Sequence, residues 1–203
     1  METKKLFAND ITIVEELLKN KGIVAFPTDT VFGLACIQNK DAISKIYKVK
    51  GRSFNKPLPM MCNSFEMIES VAIVTDEAKK IINKFVPGAL TLIFNKKNNV
   101  EDYITNGKNT IGIRVPNDSW ILKLIGELNE PLLVTSANLS DTGSLLKWEE
   151  VYNQLNGSID GIVCSDATGQ TSSTIVDVTD GVKLLREGPI SIDEIMEVLK
   201  WMI

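Results

Sequence analysis

The 203-residue chain is 44% hydrophobic and 24% charged, enough apolar material for a full core, which excludes disorder and fits one α/β domain over 1–203. It has a formal net charge of −4 and no histidine, so Ser-His-Asp and Cys-His nucleophilic systems, histidine general bases and His-ligated metals are excluded. No apolar run approaches the ~20 residues of a membrane span and no basic-then-apolar signal opens the chain, so a cytoplasmic protein without membrane contact is expected.

Cys36, Cys62 and Cys164 are odd in number and far apart, which argues against a disulfide framework or a zinc site and predicts three buried, reduced thiols. No metal site is expected. Charge is uneven: residues 1–130 hold 18 basic and 15 acidic side chains, and 131–203 hold 4 and 11. Positive potential therefore gathers in the first two thirds.

In chain order, Asp10 is placed to cap a helix carrying Ile11, Val14, Leu17 and Leu18 on one face, with Gly22 as its stop before the strand Ile23 to Phe26. Asp41 is placed to cap a second helix with Ile43, Ile46 and Tyr47, ended by Gly51. Leu58 to Cys62 reads as a short strand. Ser64 and Thr75 start two helices, the second ending near Pro87-Gly88. Strands follow at Leu90 to Phe94 and Ile111 to Val115, closed by Pro116. Asp118 begins a helix through Leu128, and Pro131 to Thr135 is a buried strand. Val151 and Leu155 mark a short helix. Strands are expected around Ile162 to Cys164, Thr174 to Val178 and Val182 to Leu185, and Ser191 to Glu194 forms a capping box for the last helix.

Between Asp41 and Glu66 the chain carries no carboxylate but holds Lys45, Lys48, Lys50, Arg52 and Lys56, the last two on a Gly- and Pro-punctuated loop. Cations gathered this way read either as a basic surface loop or as a site for phosphate or carboxylate. Four further polar clusters fall at strand ends, where open α/β sheets gather ligand groups. Pro27 to Leu34 includes Thr28, Asp29 and Thr30, and reads as an ordinary turn or as a small polar site. Arg114, with Thr110 four residues earlier, stands in an apolar strand and needs an anionic partner, either a carboxylate of this chain or a ligand. Ser136 and Asn138 follow a buried strand, and without GxSxG or histidine Ser136 is no nucleophile. The last cluster joins Thr171 to Asp177 with Leu184 to Gly188. There is no GxxxxGK[ST] or GxGxxG phosphate loop.

In this order the clusters resemble the Sua5/YrdC/TsaC family, the threonylcarbamoyl-AMP synthases. The matching pieces are Pro27 to Leu34, Lys50-Gly51-Arg52 with Lys56-Pro57-Leu58, Pro87-Gly88 before Leu90-Thr91-Leu92, Thr110 to Pro116, Thr135 to Ser140, Ser173 to Asp177 and Leu185 to Gly188. The resemblance implies a twisted mixed sheet with helices packed on it and a large basic concave cavity, and the single-domain form of the family. It implies synthesis of threonylcarbamoyl-AMP and pyrophosphate from L-threonine, bicarbonate and ATP with Mg2+. A partner complex then transfers the group to adenosine 37 of tRNA, the t6A modification. Lys50, Arg52 and Lys56 resemble the cations on the triphosphate, the first two serving catalysis. Thr110, Ser136, Asn138 and Arg186 resemble the other ATP contacts, and Thr30, Arg114 and Ser173 the threonine pocket.

The chain departs from the family pattern at several points. Phe32 stands where tyrosine is usual, Met61 where a histidine often follows the Pro-Leu pair, and Asn117-Asp118 where Pro-x-His is common. Asp141 replaces a glycine, and Leu145-Leu146 replace a Pro-Ser/Thr element. Two alternatives stay open: a double-stranded RNA or tRNA-binding module of the same fold, and a paralogue making another carbamoyl-adenylate.

Overall fold

Five helix starts in this chain are held by a side-chain oxygen that accepts from the first free N–H groups, at Asn39, Ser64, Thr75, Asp118 and Ser191. In the computed structural model, which describes residues 2–140 and 142–200, the order begins β1 (Lys4–Leu6), α1 (Ile11–Lys19), β2 (Val24–Phe26), β3 (Gly33–Cys36) and α2 (Lys40–Lys50). It continues through β4 (Met60–Met61), α3 (Phe65–Val71), β5 (Ala72–Ile73), α4 (Asp76–Phe85), β6 (Leu90–Lys96), α5 (Asp102–Thr105) and β7 (Thr110–Arg114). The chain then forms α6 (Ser119–Leu128), β8 (Leu132–Ser136), α7 (Trp148–Leu155), β9 (Gly161–Val163), β10 (Thr174–Asp177), β11 (Lys183–Arg186) and α8 (Ile192–Lys200).

Ser64, Thr75 and Asp118 cap α3, α4 and α6 as the sequence predicts, each accepting from a backbone N–H two or three residues on. Ser191 and Glu194 exchange bonds as a capping box. Two starts differ. The α2 cap is Asn39, whose Oδ1 accepts from Asp41 N and Ala42 N, because Asp41 already lies inside the helix. Asp10 sits at the N-cap of α1 but turns its carboxylate back to accept from Phe7 N at 2.8 Å. At the far end of α1 the left-handed residue is Lys21, with φ 60. Gly22 is required for a different reason: a Cβ there would lie 2.6 Å from Leu17 O.

The strands form one mixed sheet in the order β1-β9-β2-β3-β8-β4-β7-β6-β10-β11, with β5 added on β6. Pairs β1·β9, β2·β9, β4·β7 and β6·β10 are parallel and the rest antiparallel. The sequence pattern gives no strand at β3, and its first two residues, Gly33 and Leu34, fall in the cluster read as a turn or a small polar site. The strand lacks β-branched residues and is held by neighbours on both sides.

Period-two alternation divides the apolar side chains between two faces. One face carries Ala25, Leu34, Met60, Leu92, Ile111, Ile113, Leu133 and Val176 into a large core. The other carries Val24, Phe26, Ala35, Met61, Leu132 and Val134 against Ile11, Val14 and Leu18 of α1 and Ile121, Leu124 and Ile125 of α6. This second helix layer stops at β4. Over β7, β6 and β10 the same face is left open, and that opening is the cavity. Cys36 and Cys62 are buried as expected, whereas Cys164, just past edge-proximal β9, is half-buried.

Candidate active site

A cavity of about 450 Å³ occupies this open face. Strand register lays out its floor. One row across the sheet runs Met61, Arg114, Thr91, Ile175 and Arg186, and the next runs Val134, Pro59, Gly112, Ile93 and Asp177. Thr110 and Ser136 lie beyond. A row with two arginines and Thr91 is thus followed by a flat apolar band that ends at Asp177. Gly112 keeps the band flat, since a Cβ there would press on Ile93 Cδ1 at 3.0 Å.

At the arginine end, Arg114 is 7% exposed and uses three of its five N–H groups on the protein. Its Nε donates to Gly88 O at 3.0 Å, Nη1 to Thr30 Oγ1 at 2.6 Å and Nη2 to Asp29 Oδ1 at 2.7 Å. The other Asp29 oxygen accepts from Asn117 N at 3.0 Å. The anionic partner required by the sequence is therefore Asp29 of the same chain. Burial pulls the Arg114 pKa down, and the charge and hydrogen bond of Asp29 offset part of that.

Thr30 is committed locally. The Thr28 hydroxyl donates to Val31 O at 2.7 Å and accepts from Thr30 N, so the Thr30 hydroxyl, 3.0 Å from Thr28 Oγ1, spends its hydrogen there while accepting from Arg114. It acts here as an acceptor that orients the guanidinium. Gly169 packs over this turn where a Cβ would fall 2.4 Å from Thr30 Cα.

Arg186 faces Arg114 across the same end. Its Nε and Nη2 donate to Ser173 O at 3.1 and 2.8 Å, and Ser173 Oγ pairs with Thr91 Oγ1 at 2.8 Å. Burial, then repulsion from Arg114, holds the Arg186 pKa below the ordinary arginine range. An anion placed between two such guanidiniums relieves their repulsion and accepts their forks.

The basic loop supplies the opposite wall. Arg52 lines the cavity, braced by its own loop through Nε to Lys56 O at 2.9 Å and Nη2 to Pro57 O at 3.1 Å. Lys56 is exposed and does not line the cavity. Lys50 also stands outside it: the side chain is buried, with Nζ donating to the carbonyls of Ser136 and Asn138, while Lys50 O accepts from Ser140 N at 2.8 Å. Burial, and secondarily Arg52, lowers its pKa to about 8. In this conformation Lys50 fixes the loop after β8 from behind. The Asn138 amide nitrogen bonds Leu139 O and Thr142 within that loop, and its Oδ1 is buried without a partner among the described residues.

Of the sequence-predicted residues, the cavity thus gathers Thr30, Arg52, Thr110, Arg114, Ser136, Ser173 and Arg186, while Lys50, Lys56 and Asn138 do not line it. Phe32 and Met61 line it as apolar surface. Leu145 acts through its backbone, its carbonyl accepting from Phe32 N, and Asp141 lies outside the described residues. Sequence reasoning missed Lys108, and it gave no site role to Thr91 and Asp177 although both fall inside the clusters it singled out. A period-two extension from Thr110 and Ile175 would have found Lys108 and Asp177. Among the described residues no cluster of three acidic, cysteine or histidine side chains could hold a metal, and no helix is long and apolar enough to cross a membrane.

The family model described as "Telomere recombination", which unites Sua5, YciO and YrdC proteins, matches residues 16–188. The chain belongs to this family. Among Sua5/YciO/YrdC relatives it is 38% identical to threonylcarbamoyl-AMP synthase of Bacillus subtilis (strain 168), over 97% of this chain and 59% of that protein. It is 37% identical to a putative threonylcarbamoyl-AMP synthase of Methanocaldococcus jannaschii, over 89% of this chain and 86% of that protein. The structure of Pyrococcus abyssi Sua5 complexed with L-threonine superposes with TM-score 0.88 at 31% identity, covering 98% of this chain and 61% of the other. The chain therefore spans about three fifths of the length of some of these relatives.

Proposed function

We propose that this Sua5/YciO/YrdC protein is an enzyme that forms threonylcarbamoyl-AMP and pyrophosphate from L-threonine, bicarbonate and ATP. The observation that carries the reading is the cavity's polarity: Arg114 and Arg186 with Thr30, Ser173 and Thr91 at one end, Arg52 and Lys108 on the other wall, and an apolar band between. A small amino acid presents one carboxylate and a nucleoside triphosphate presents several negative charges, so two separated cationic ends suit the two substrates together. The threonine-bound Sua5 relative and the two synthase relatives point the same way.

In this reading the threonine carboxylate lies between Arg114 and Arg186, the first held in place by Asp29 and Thr30. Bicarbonate loses hydroxide to give CO2, the neutral amine bonds to its carbon, and the proton that the nitrogen then loses combines with that hydroxide as water, leaving a carbamate. A carbamate oxygen attacks the α-phosphorus, the bond from that phosphorus to the β-phosphate oxygen breaks, and pyrophosphate leaves with the electron pair. Arg52, Thr110 and Ser136 orient the nucleotide. The step needs alignment, charge neutralisation and exclusion of water, all available to a chain without histidine. Mg2+ arrives with ATP as part of the substrate, since the ion is ordinarily held by phosphates and water. Lys50 serves the site through the loop it anchors, and the product passes to a partner complex for tRNA t6A modification.

The test is pyrophosphate release measured with each substrate omitted in turn. Release that requires threonine, bicarbonate and ATP together is expected, and release indifferent to threonine or bicarbonate would overturn the reading.

A further inference from the structure

Arg52 and Lys108 reach the cavity from segments far apart in sequence, and one amide ties those segments together. Asn106 ends the short helix α5 in the left-handed region at φ 52, a conformation asparagine tolerates better than most residues. Its Nδ2 donates one hydrogen to Phe54 O and the other to Tyr47 Oη, both at 2.7 Å. Tyr47 Oη in turn donates to Lys56 O at 3.0 Å, the same carbonyl that accepts from Arg52 Nε. The Phe54 ring, 62% exposed, stacks on Tyr47 with centroids 4.5 Å apart and planes 14° apart.

On the other side of Asn106, the turn carrying Lys108 is closed by Thr105 Oγ1 donating to Lys108 O at 2.7 Å and Lys108 N donating to Thr105 O at 3.1 Å. Both hydrogens of the Asn106 amide are spent on holding the basic loop to this turn. Neither acceptor belongs to a ligand-lining side chain. The arrangement fixes where Arg52 points without itself touching the cavity.

We propose that Asn106 is a positioning residue that latches the loop 51–57 to the Lys108 turn, so that Arg52 and Lys108 act as one clamp for a polyphosphate, the triphosphate of the nucleotide substrate. This rests on the synthase reading for the identity of the nucleotide, but the clamp itself is defined by the anion. Pre-fixing two cations spares the ordering cost of assembling them around the ligand. Arginine supplies a planar fork and lysine a mobile point charge, a combination suited to adjacent phosphates.

The test compares the full chain with Asn106→Gly, which keeps the left-handed backbone and deletes the amide, and Asn106→Asp, which keeps the shape and deletes both donors. Three readouts are needed: amide hydrogen exchange over 51–57 without ligand, binding of inorganic tripolyphosphate by calorimetry, and KM for ATP beside KM for threonine. Expected are faster exchange confined to the loop, tripolyphosphate binding weakened about tenfold for two lost hydrogen bonds, and a matching rise in KM for ATP with KM for threonine unchanged. Unchanged exchange and unchanged tripolyphosphate binding in both variants would overturn the latch, as would equal rises in both KM values. A wild-type protein that binds tripolyphosphate without turnover would sink the synthase reading alone, and weakened binding in the variants would still uphold the latch.

Discussion

Replacing Asp29 with alanine strips the counter-charge from a guanidinium that cannot leave its place. The pair is 2.7 Å apart, with side chains only 8% and 13% exposed for Arg114 and Asp29. Breaking such a pair from one side costs about 3–5 kcal/mol. Cavity water can solvate one edge of Arg114, which puts the expected loss at the lower end, about 3 kcal/mol. With a urea m-value of about 3 kcal/mol/M for a chain of this size, the midpoint should fall by about 1 M. Asp29→Ala combined with Arg114→Met removes the orphaned charge, and about half of the lost stability should return. Urea unfolding of the wild type, both single variants and the double variant completes the cycle. If the double variant is as unstable as the sum of its parts, or Asp29→Ala shifts the midpoint by less than a tenth of the expected amount, the account of Arg114 as a paired buried charge is wrong.

Two other predictions concern titration and thiol chemistry. The pKa of Lys50 is held at about 8, below its ordinary 10.5, so the folded state releases a proton that the unfolded chain keeps between those values. Its cost is therefore present in full below about pH 8 and disappears by about pH 10.5, a gain of about 3 kcal/mol with rising pH. The neutral amine retains two N–H groups for the carbonyls of Ser136 and Asn138. The stability of wild type relative to Lys50→Met should rise over this range, and a pH-independent difference would refute it. Burial raises Cys36 and Cys62 to about 12, while half-buried Cys164 is raised less far. Iodoacetamide should label Cys164 first in the folded protein, with the other two following only on unfolding, and equal labelling rates would contradict the packing described.

Much of the secondary structure was legible because its causes are local. A cap at Ser64, Thr75 or Asp118 involves residues two or three apart, and the Ser191 to Glu194 box is complete within four positions. Gly51 stops α2 in the left-handed region as its position suggested. The same locality explains the misses. Asp10 and Phe7, or Asn39 and Asp41, are near neighbours too, and the sequence does not rank competing local bonds of similar strength. The strand β3, without β-branched residues, exists because β2 and β8 bind both of its edges.

The candidate site was legible as a set of residue types at strand ends and illegible as a geometry. An arginine in an apolar strand demanded an anion, but whether Asp29, 85 residues away, or a ligand would provide it was a question of tertiary placement. The acid-free basic stretch from Lys45 to Lys56 announced positive charge, and the fold then divided it. Arg52 lines the cavity, while Lys50 turns to carbonyls 86 and 88 residues distant. Lys108 lines the cavity two residues before β7, and the Asn106 amide bonds that turn to the basic loop.

The class of fold, the positions of most helices and strands, the exclusion of histidine chemistry and the inventory of cations and hydroxyls can all be read from the order of residues. These follow from composition, period and near-neighbour bonding. That α1 and α6 cover half of one sheet face and leave the other half open is a matter of long-range packing. That packing made a cavity of the floor from Met61 to Arg186, because a side chain's partner depends on which distant backbone lies across from it, and chain order does not encode that distance.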